Sequence, residues 1–452
     1  MFSKILVANR GEIALRIIRA CHDLDIEAVA VYSEADADSL HVALADEAVC
    51  IGSPMSAKSY LSIEKIIHAA KETGAPAVHP GYGYLSEKAA FAEACKDAGL
   101  VFIGPTPDNL RLAGDKIAAK KIMMDAGVPV IPSSENGVES LDEAISISRD
   151  IGYPVMVKAS GGGGGRGIRI CADSAALAEE FPVAKMEARA AFGNDQVFIE
   201  KVVRNPRHIE FQILADHSGH TIHLGERECT IQRRYQKLIE ESPSPFLDQK
   251  LRDAMGAAAV TAAKAVGYVN AGTIEFLVDK EGHFYFMEVN SRIQVEHPVT
   301  ELTTGIDLVR EQILLASGER LSYGEKDIQK RGWAIECRIN AEDPQKHFIP
   351  SPGKVDEFRA PGGFGVRIDT HLYKGYELPI FYDSLIAKLV SFDLTRSGAI
   401  HIMKRALREL TIGPIKTTIP FYLTIMDDPD FLRGDFDTGF IERFLPGEED
   451  ED

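Results

Sequence analysis

Phe286-Met-Glu-Val-Asn-Ser-Arg-Ile-Gln-Val-Glu-His297 is the stretch that decides the fold. Glu288, Asn290, Arg292, Gln294 and Glu296 occupy every second position, and Met287, Val289, Ile293 and Val295 fill most of the gaps. Successive side chains of an extended chain point to opposite faces. The spacing therefore predicts a strand with two carboxylates, two amides and a guanidinium on one face and an apolar opposite face. A plain solvated face would favour Lys, Thr and Ser over this mixture.

Upstream, Gly272-Thr-Ile-Glu-Phe-Leu-Val-Asp279 and His283-Phe-Tyr-Phe-Met-Glu-Val289 read as strands joined by Lys280-Glu281-Gly282, a hairpin signal. With a two-residue loop, Glu281-Gly282, Glu275 lies directly across from Glu288. With a three-residue loop the two fall on opposite faces. Two facing carboxylates repel unless a cation lies between them. With Asn290 they form an all-oxygen set suited to Mg²⁺ or Mn²⁺. Arg292 suits a small planar anion gripped by two parallel hydrogen bonds. Metal and anion sites side by side point to phosphoryl transfer involving a small oxyanion.

The 452 residues are 45% hydrophobic and 26% charged, an ordinary globular composition. The net charge of −18 argues against a nucleic-acid partner. The six cysteines show no CxxC spacing and read as reduced, mostly buried thiols. Met1-Phe2-Ser3-Lys4 leads straight into a strand, so no signal peptide is expected, and no apolar run is long enough to span a membrane. These features place the chain in the cytoplasm.

Lys4–Ala8, the turn Asn9-Arg10-Gly11, a helix from Glu12 to Cys21 and the strand Ala28–Tyr32 form a βαβ opening. One glycine in that turn is too few for a dinucleotide fingerprint. Asp115 is a good N-cap for a helix over Lys116–Ala126, with Gly127 as its stop. Pro154–Ala159 and Ile168–Cys171 flank Ser160-Gly-Gly-Gly-Gly-Gly-Arg-Gly167. Glycines between two strands are no Walker motif, but they form a flap whose backbone N–H groups can wrap phosphate oxygens, with Lys158 beside them. Val197–Val202 reads as a strand below the flap. His208, Glu210 and Gln212 share a polar strand face, and so do Glu336, Arg338 and Asn340. Gln232-Arg-Arg-Tyr-Gln-Lys237 is a basic run in an acidic protein, and Ser397–Leu410 reads as a helix.

These residues together resemble an ATP-grasp enzyme, and more closely the biotin carboxylase subunit of biotin-dependent carboxylases. The resemblance rests on Ile5–Ala14, His79-Pro-Gly-Tyr-Gly83, Lys158–Gly167, Asn205-Pro-Arg-His208, Gln232-Arg-Arg234, Arg292-Ile-Gln-Val-Glu-His297 and Glu336–Asp343, and runs to about Leu445. It implies an α/β ATP-grasp fold. Residues 1–113 form a Rossmann-like parallel-sheet domain, 114–330 the ATP-grasp domain with a lid at about 131–203, and 331–446 a β-rich C-terminal domain; 447–452 is an acidic tail.

The implied activity is that of a ligase. ATP phosphorylates bicarbonate to carboxyphosphate, and biotin N1 is carboxylated. Lys116, Lys158 and the flap glycines Gly163, Gly164 and Gly165 would bind phosphates. Glu200 and Lys201 would hold adenine, with His208 and Gln232 near the nucleotide. Glu275, Glu288 and Asn290 would carry two Mg²⁺ or Mn²⁺ ions. Lys237, Arg292, Gln294 and the backbone of Val295 would bind bicarbonate. Glu296 would be the base, Arg338 would stabilise the biotin enolate, and Tyr82 would lie near the biotin ring. Tyr235 stands where many relatives carry His, which puts a nucleotide contact at that position in doubt. No Met-Lys-Met biotinylation motif occurs, so the biotin carrier protein and carboxyltransferase are expected on other chains. A homodimer is implied, serving an acetyl-CoA, propionyl-CoA or pyruvate system. Two rival readings are a carboxylate–amine ligase of the same superfamily and a non-catalytic nucleotide sensor. Every implied catalytic position being filled argues against the sensor.

Overall fold

The computed structural model describes residues 1–159, 168–192 and 195–445. The flap glycines Gly163, Gly164 and Gly165 and the acidic tail lie outside the described residues.

The apolar run at the start of the chain becomes the middle strand of a parallel sheet. In spatial order the strands are Glu47–Gly52, Glu27–Ser33, Lys4–Val7, Ala77–His79 and Val101–Phe102, all parallel. Ile5, Leu6 and Val7 are fully buried, as expected for a strand covered on both faces. The turn after it needs a left-handed residue, and Gly11 supplies it with φ +68°. Arg10 closes that turn by donating from Nε and Nη2 to the Asp36 carboxylate, both at 2.7 Å.

An eight-stranded sheet forms the centre of the molecule. Its order is Phe284–Asn290, Asn270–Val278, Arg207–Ala215, Thr221–Arg233, Gln236–Ser242, Trp333–Asn340, Leu385–Asp393 and Val366–Thr370. The strand Trp333–Asn340 pairs with Gln236–Ser242, so one ladder carries residues 207–290 and the later 333–393 strands together. A separate three-stranded sheet, Ile168–Cys171, Val155–Ala159 and Val197–Lys201, flanks the glycine run. The helix Lys116–Asp125 starts as expected, with the Asp115 side chain accepting from the Ala118 N–H.

Two local expectations need correction. The strand beginning at Phe284 stops at Asn290, and Glu296 is already the N-cap of the helix His297–Thr304. Arg292, Gln294 and Glu296 therefore leave the sheet on an irregular segment that Pro298 steers into the helix. The second correction concerns the 278–284 turn. Asp279 N–H bonds to His283 C=O at 2.9 Å, closing a three-residue loop. That register alone would set Glu275 against Met287. A β-bulge between Glu275 and Phe276 on one strand and Phe286 and Glu288 on the other restores the Glu275–Glu288 pairing. The basic run, which carries no local-structure signal in the sequence, is a hairpin tip. Gln232 and Lys237 pair across it, and Arg234 and Tyr235 both take positive φ, +52° and +65°, in the two-residue loop. Tyr235 is 75% exposed there.

Candidate active site

Four strands of the large sheet and the 291–296 segment converge on one buried ionic centre. Lys237 Nζ donates to Glu296 Oε1 at 2.6 Å, Glu275 Oε1 at 2.9 Å and Glu210 Oε2 at 2.5 Å. Glu296 is fully buried. Its second oxygen accepts from Arg338 Nη2 at 2.9 Å, and Arg338 Nε donates to Glu240 Oε1 at 2.6 Å. Burial alone would raise the pKa of Glu296. Lys237, Arg338 and Arg227 outweigh it and hold the carboxyl well below the usual range. Glu296 is thus ionised at neutral pH and walled off from bulk water.

The same segment carries a guanidinium and an amide that could grip an anion. Arg292 Nη1 donates to Gln294 Oε1 at 2.7 Å and Nη2 to Asn290 Oδ1 at 3.2 Å. Gln294 Nε2 donates to Glu275 Oε1 at 3.0 Å. Alternate residues touch one another even past the strand end, as the sequence spacing implied.

Glu275 links this grip to the metal set. It accepts from Asn290 Nδ2 at 2.6 Å, and its other oxygen lies 2.8 Å from His208 Nε2. Gln232 Nε2 donates to His208 Nδ1 at 2.6 Å, which assigns the histidine's proton to Nε2. Burial would raise the Glu275 pKa, but Lys237 and His208 drive it well below normal. Glu288 lies opposite Glu275 in register and accepts from Lys116 Nζ at 3.0 Å. Each of the facing carboxylates is met by its own cation, Glu288 by Lys116 and Glu275 by Lys237. The oxygens of Glu275, Glu288 and Asn290 are hard donors that fit Mg²⁺ or Mn²⁺.

The phosphate end is more open. Lys116 is 70% exposed at its side chain, and Lys158 is 38% exposed. Lys158 Nζ donates to Glu200 Oε1 at 2.8 Å. Lys120, which the sequence did not single out, donates to Ser133 Oγ at 2.7 Å and Glu200 Oε2 at 3.3 Å. The Lys201 side chain turns away, donating to the Gly152 and Tyr153 carbonyls. Tyr82 belongs to the N-terminal sheet's side of the molecule, and its hydroxyl donates to Glu12 Oε1.

Sequence reasoning missed the groups that brace this centre. Arg227 is fully buried and donates to Glu210 Oε1 at 2.5 Å, Gln212 Oε1 at 2.7 Å, Thr300 Oγ1 at 2.9 Å and Thr273 Oγ1 at 3.2 Å. The available signal was Glu226-Arg-Glu228 inside a strand-like run, where charge on both faces argues against a solvated face. Cys229 is buried beside the same acids; burial, then Glu210, raises its pKa well above the thiol norm, so it stays a neutral thiol.

Known proteins match this arrangement along the whole chain. Residues 1–110 match the biotin carboxylase N-terminal domain, 115–323 the carbamoyl-phosphate synthase L chain ATP-binding domain, and 336–443 the biotin carboxylase C-terminal domain. The biotin carboxylase of Nostoc sp. is 58% identical, covering 98% of this chain and 99% of the relative. A pyruvate carboxylase subunit of Methanothermobacter thermautotrophicus is 54% identical, covering 99% of this chain and 91% of the relative. Among solved structures, the biotin carboxylase domain dimer of Hydrogenobacter thermophilus 2-oxoglutarate carboxylase superposes with a TM-score of 0.90 at 50% identity. That likeness covers 98% of each chain, and the structure is a complex with MgADP, ADP and bicarbonate. The chain belongs to the biotin carboxylase family.

Proposed function

We propose a division of labour among the residues of this site. The chain is an ATP-dependent ligase that uses bicarbonate to carboxylate biotin, and the ionic centre carries out the bicarbonate chemistry. Lys237, Arg292, Gln294 and the Val295 backbone hold bicarbonate against Glu296. Glu296 takes its proton, raising its nucleophilicity toward the γ-phosphoryl group. Lys116, Lys158 and the flap glycines Gly163, Gly164 and Gly165 grip the phosphates, and Glu200 and Lys201 edge the adenine pocket. His208 and Gln232 orient Glu275. Glu275, Glu288 and Asn290 would hold two divalent ions, which when bound offset charge on the transferred phosphoryl.

Carboxyphosphate formed here breaks its carbon–oxygen bond to give CO₂ and phosphate beside the biotin ring, which Tyr82 helps to seat, and the released phosphate takes the biotin N1 proton. Arg338 then stabilises the developing enolate with a cation that cannot lose its proton. The observation that carries this reading is Glu296 clamped between Lys237 and Arg338. One base touches both a bicarbonate-side cation and the biotin-side guanidinium.

The partners follow from the same reading. Biotin is presented by a carrier protein on another chain, and carboxyltransferase subunits use the product. The Methanothermobacter relative, named as one subunit of a pyruvate carboxylase, supports this. Two copies of the chain pair as a dimer, as in the Hydrogenobacter structure. The functional units are 1–113, 114–330 and 331–446. The six cysteines are free thiols, consistent with a reducing cytoplasm.

The test is ADP release by the purified chain with MgATP and free biotin, with and without bicarbonate. Release that requires both bicarbonate and biotin is expected. Release driven instead by an amino acid or another amine would move the chain to the carboxylate–amine ligases.

A further inference from the structure

A part-buried cation, Arg338, and a fully buried one, Lys388, face each other on neighbouring strands of the large sheet. Arg338 and Lys388 are direct register partners on neighbouring strands. Like charges opposite one another cost stability, and Lys388 is completely buried. Arg338 is taken up by Glu240 and Glu296. Lys388 goes elsewhere. Its Nζ donates to the Val295 carbonyl at 3.0 Å and forms an ion pair with Glu12 Oε2 at 3.2 Å. The Glu12 contact is ionic rather than a directed hydrogen bond, since that oxygen accepts no aligned donor. Asp369 lies farther off at 3.9 Å and is already paired with Arg367 at 2.7 Å.

Each end of this link meets a different part of the molecule. The Val295 carbonyl belongs to the peptide that leads into Glu296. A cation fixed on that oxygen holds the peptide plane, and with it the Val295 N–H on one side and the Glu296 Cα on the other. At the other end, Glu12 lies on the helix Gly11–His22 and accepts from the Tyr82 hydroxyl. The path Tyr82–Glu12–Lys388–Val295 therefore crosses from the N-terminal unit, through the Leu385–Asp393 strand, into the anion segment.

We propose that Lys388 is a positioning residue that couples the biotin side of the site to the bicarbonate side, by tying the Val295–Glu296 peptide to Glu12 and Tyr82. The inference rests on the residue roles proposed above. A change at Tyr82 then shifts bicarbonate binding although Tyr82 does not touch bicarbonate. The coupling works through discrete contacts whose loss at any link breaks the path.

The experiment is a double-mutant cycle on the full chain, reading kcat and KM for bicarbonate, ATP and free biotin. Lys388→Met should raise the bicarbonate KM roughly tenfold, as loss of a charged hydrogen bond does, and leave the ATP KM within about twofold. Tyr82→Phe should raise the bicarbonate KM about threefold in the parent, and should add nothing in the Lys388→Met background. Additive effects, or an unchanged bicarbonate KM in Lys388→Met, would overturn the coupling. Should Lys388→Met fail to fold, Glu12→Gln and Tyr82→Phe form the same cycle. Their double variant should match the larger single effect, and additivity again refutes the link. The parent chain separates this inference from the function it rests on. A parent indifferent to bicarbonate removes the proposed function, whereas a bicarbonate-dependent parent with unaltered variants removes only the role of Lys388.

Discussion

The proposed bicarbonate end and the proposed phosphate end of the site share the strand pair Asn270–Val278 and Phe284–Asn290, yet they are built in opposite ways. At the bicarbonate end Lys237, Glu296, Glu275, Glu210 and Arg227 are all buried or nearly so, and each already has ionic or hydrogen-bonded partners within the chain. At the phosphate end Lys116 and Lys158 stand half in solvent, each holding one carboxylate. Buried, satisfied polar groups are preorganised and costly to disturb. Exposed lysines are adaptable and contribute little until a ligand arrives. On the proposed roles, the difference sets an anion site already held by its own ion pairs against a nucleotide grip whose lysines stand open to a ligand.

The largest effects should therefore come from the buried end. Glu296→Gln keeps the shape but removes the proposed base and takes one charged partner each from Lys237, which retains Glu210 and Glu275, and Arg338, which retains Glu240. Turnover should fall by roughly 10²-fold or more, with ATP binding retained in an equilibrium titration. Near-normal turnover would mean that another group deprotonates bicarbonate. Arg338→Ala should divide the two half-steps. Bicarbonate-dependent ATP hydrolysis should survive better than biotin carboxylation, by about tenfold or more. Equal loss of both would deny Arg338 its separate role on the biotin side and erase part of the contrast between the two ends.

A smaller and different signature is expected at the open end. Lys116→Met frees Glu288 and takes one cation from the phosphates. The KM for ATP should rise about tenfold while the KM for bicarbonate stays within about twofold. If bicarbonate KM rises equally, the two ends are one coupled site and the comparison fails.

How far the sequence reveals this site depends on what kind of contact holds each part. Alternation from Glu288 to Gln294 put Asn290, Arg292 and Gln294 on one face, and Arg292 touches both amides although the strand ends at Asn290, because those contacts are local. The pairing of Glu275 with Glu288 was legible only as one of two registers. The loop chose the register that separates them, and a bulge at Met287 reversed the outcome. Nothing in an apolar-polar pattern marks a one-residue bulge. Arg227 and Lys388 were invisible for another reason. A charged residue in a strand reads as solvent-facing until long-range partners such as Thr300, Glu12 and Val295 are known. The single ladder from Gln236–Ser242 into Trp333–Asn340 is likewise set by pairing across about ninety residues of chain. The hairpin tip at Arg234-Tyr235 lacked the Asn-Gly signal that such turns usually carry.

Lys237, Glu296 and Arg227 at the buried end are paired, whereas two buried histidines near Arg10 leave ring nitrogens unpartnered. His371 is buried with neither ring nitrogen hydrogen-bonded, its ring edge-on to Tyr376. His41 lacks a partner at Nδ1. Burial pushes His371 down to about 3, with Arg10 adding to the effect, and pushes His41 down to about 4. Both stay neutral in the folded state, while an unfolded histidine titrates near 6.5. Folded pKa values below the unfolded one mean that the unfolded chain binds more protons in between. Stability is then full above pH 6.5 and falls as pH drops from there toward 3. His371→Leu should flatten that fall by an amount on the order of 4 kcal/mol across the window. Urea midpoints measured at several pH values would record it, with turnover at neutral pH within about twofold of the parent. An unchanged acid slope would mean that the His371 ring finds a proton partner in solution, and that it is as well satisfied as the bicarbonate end.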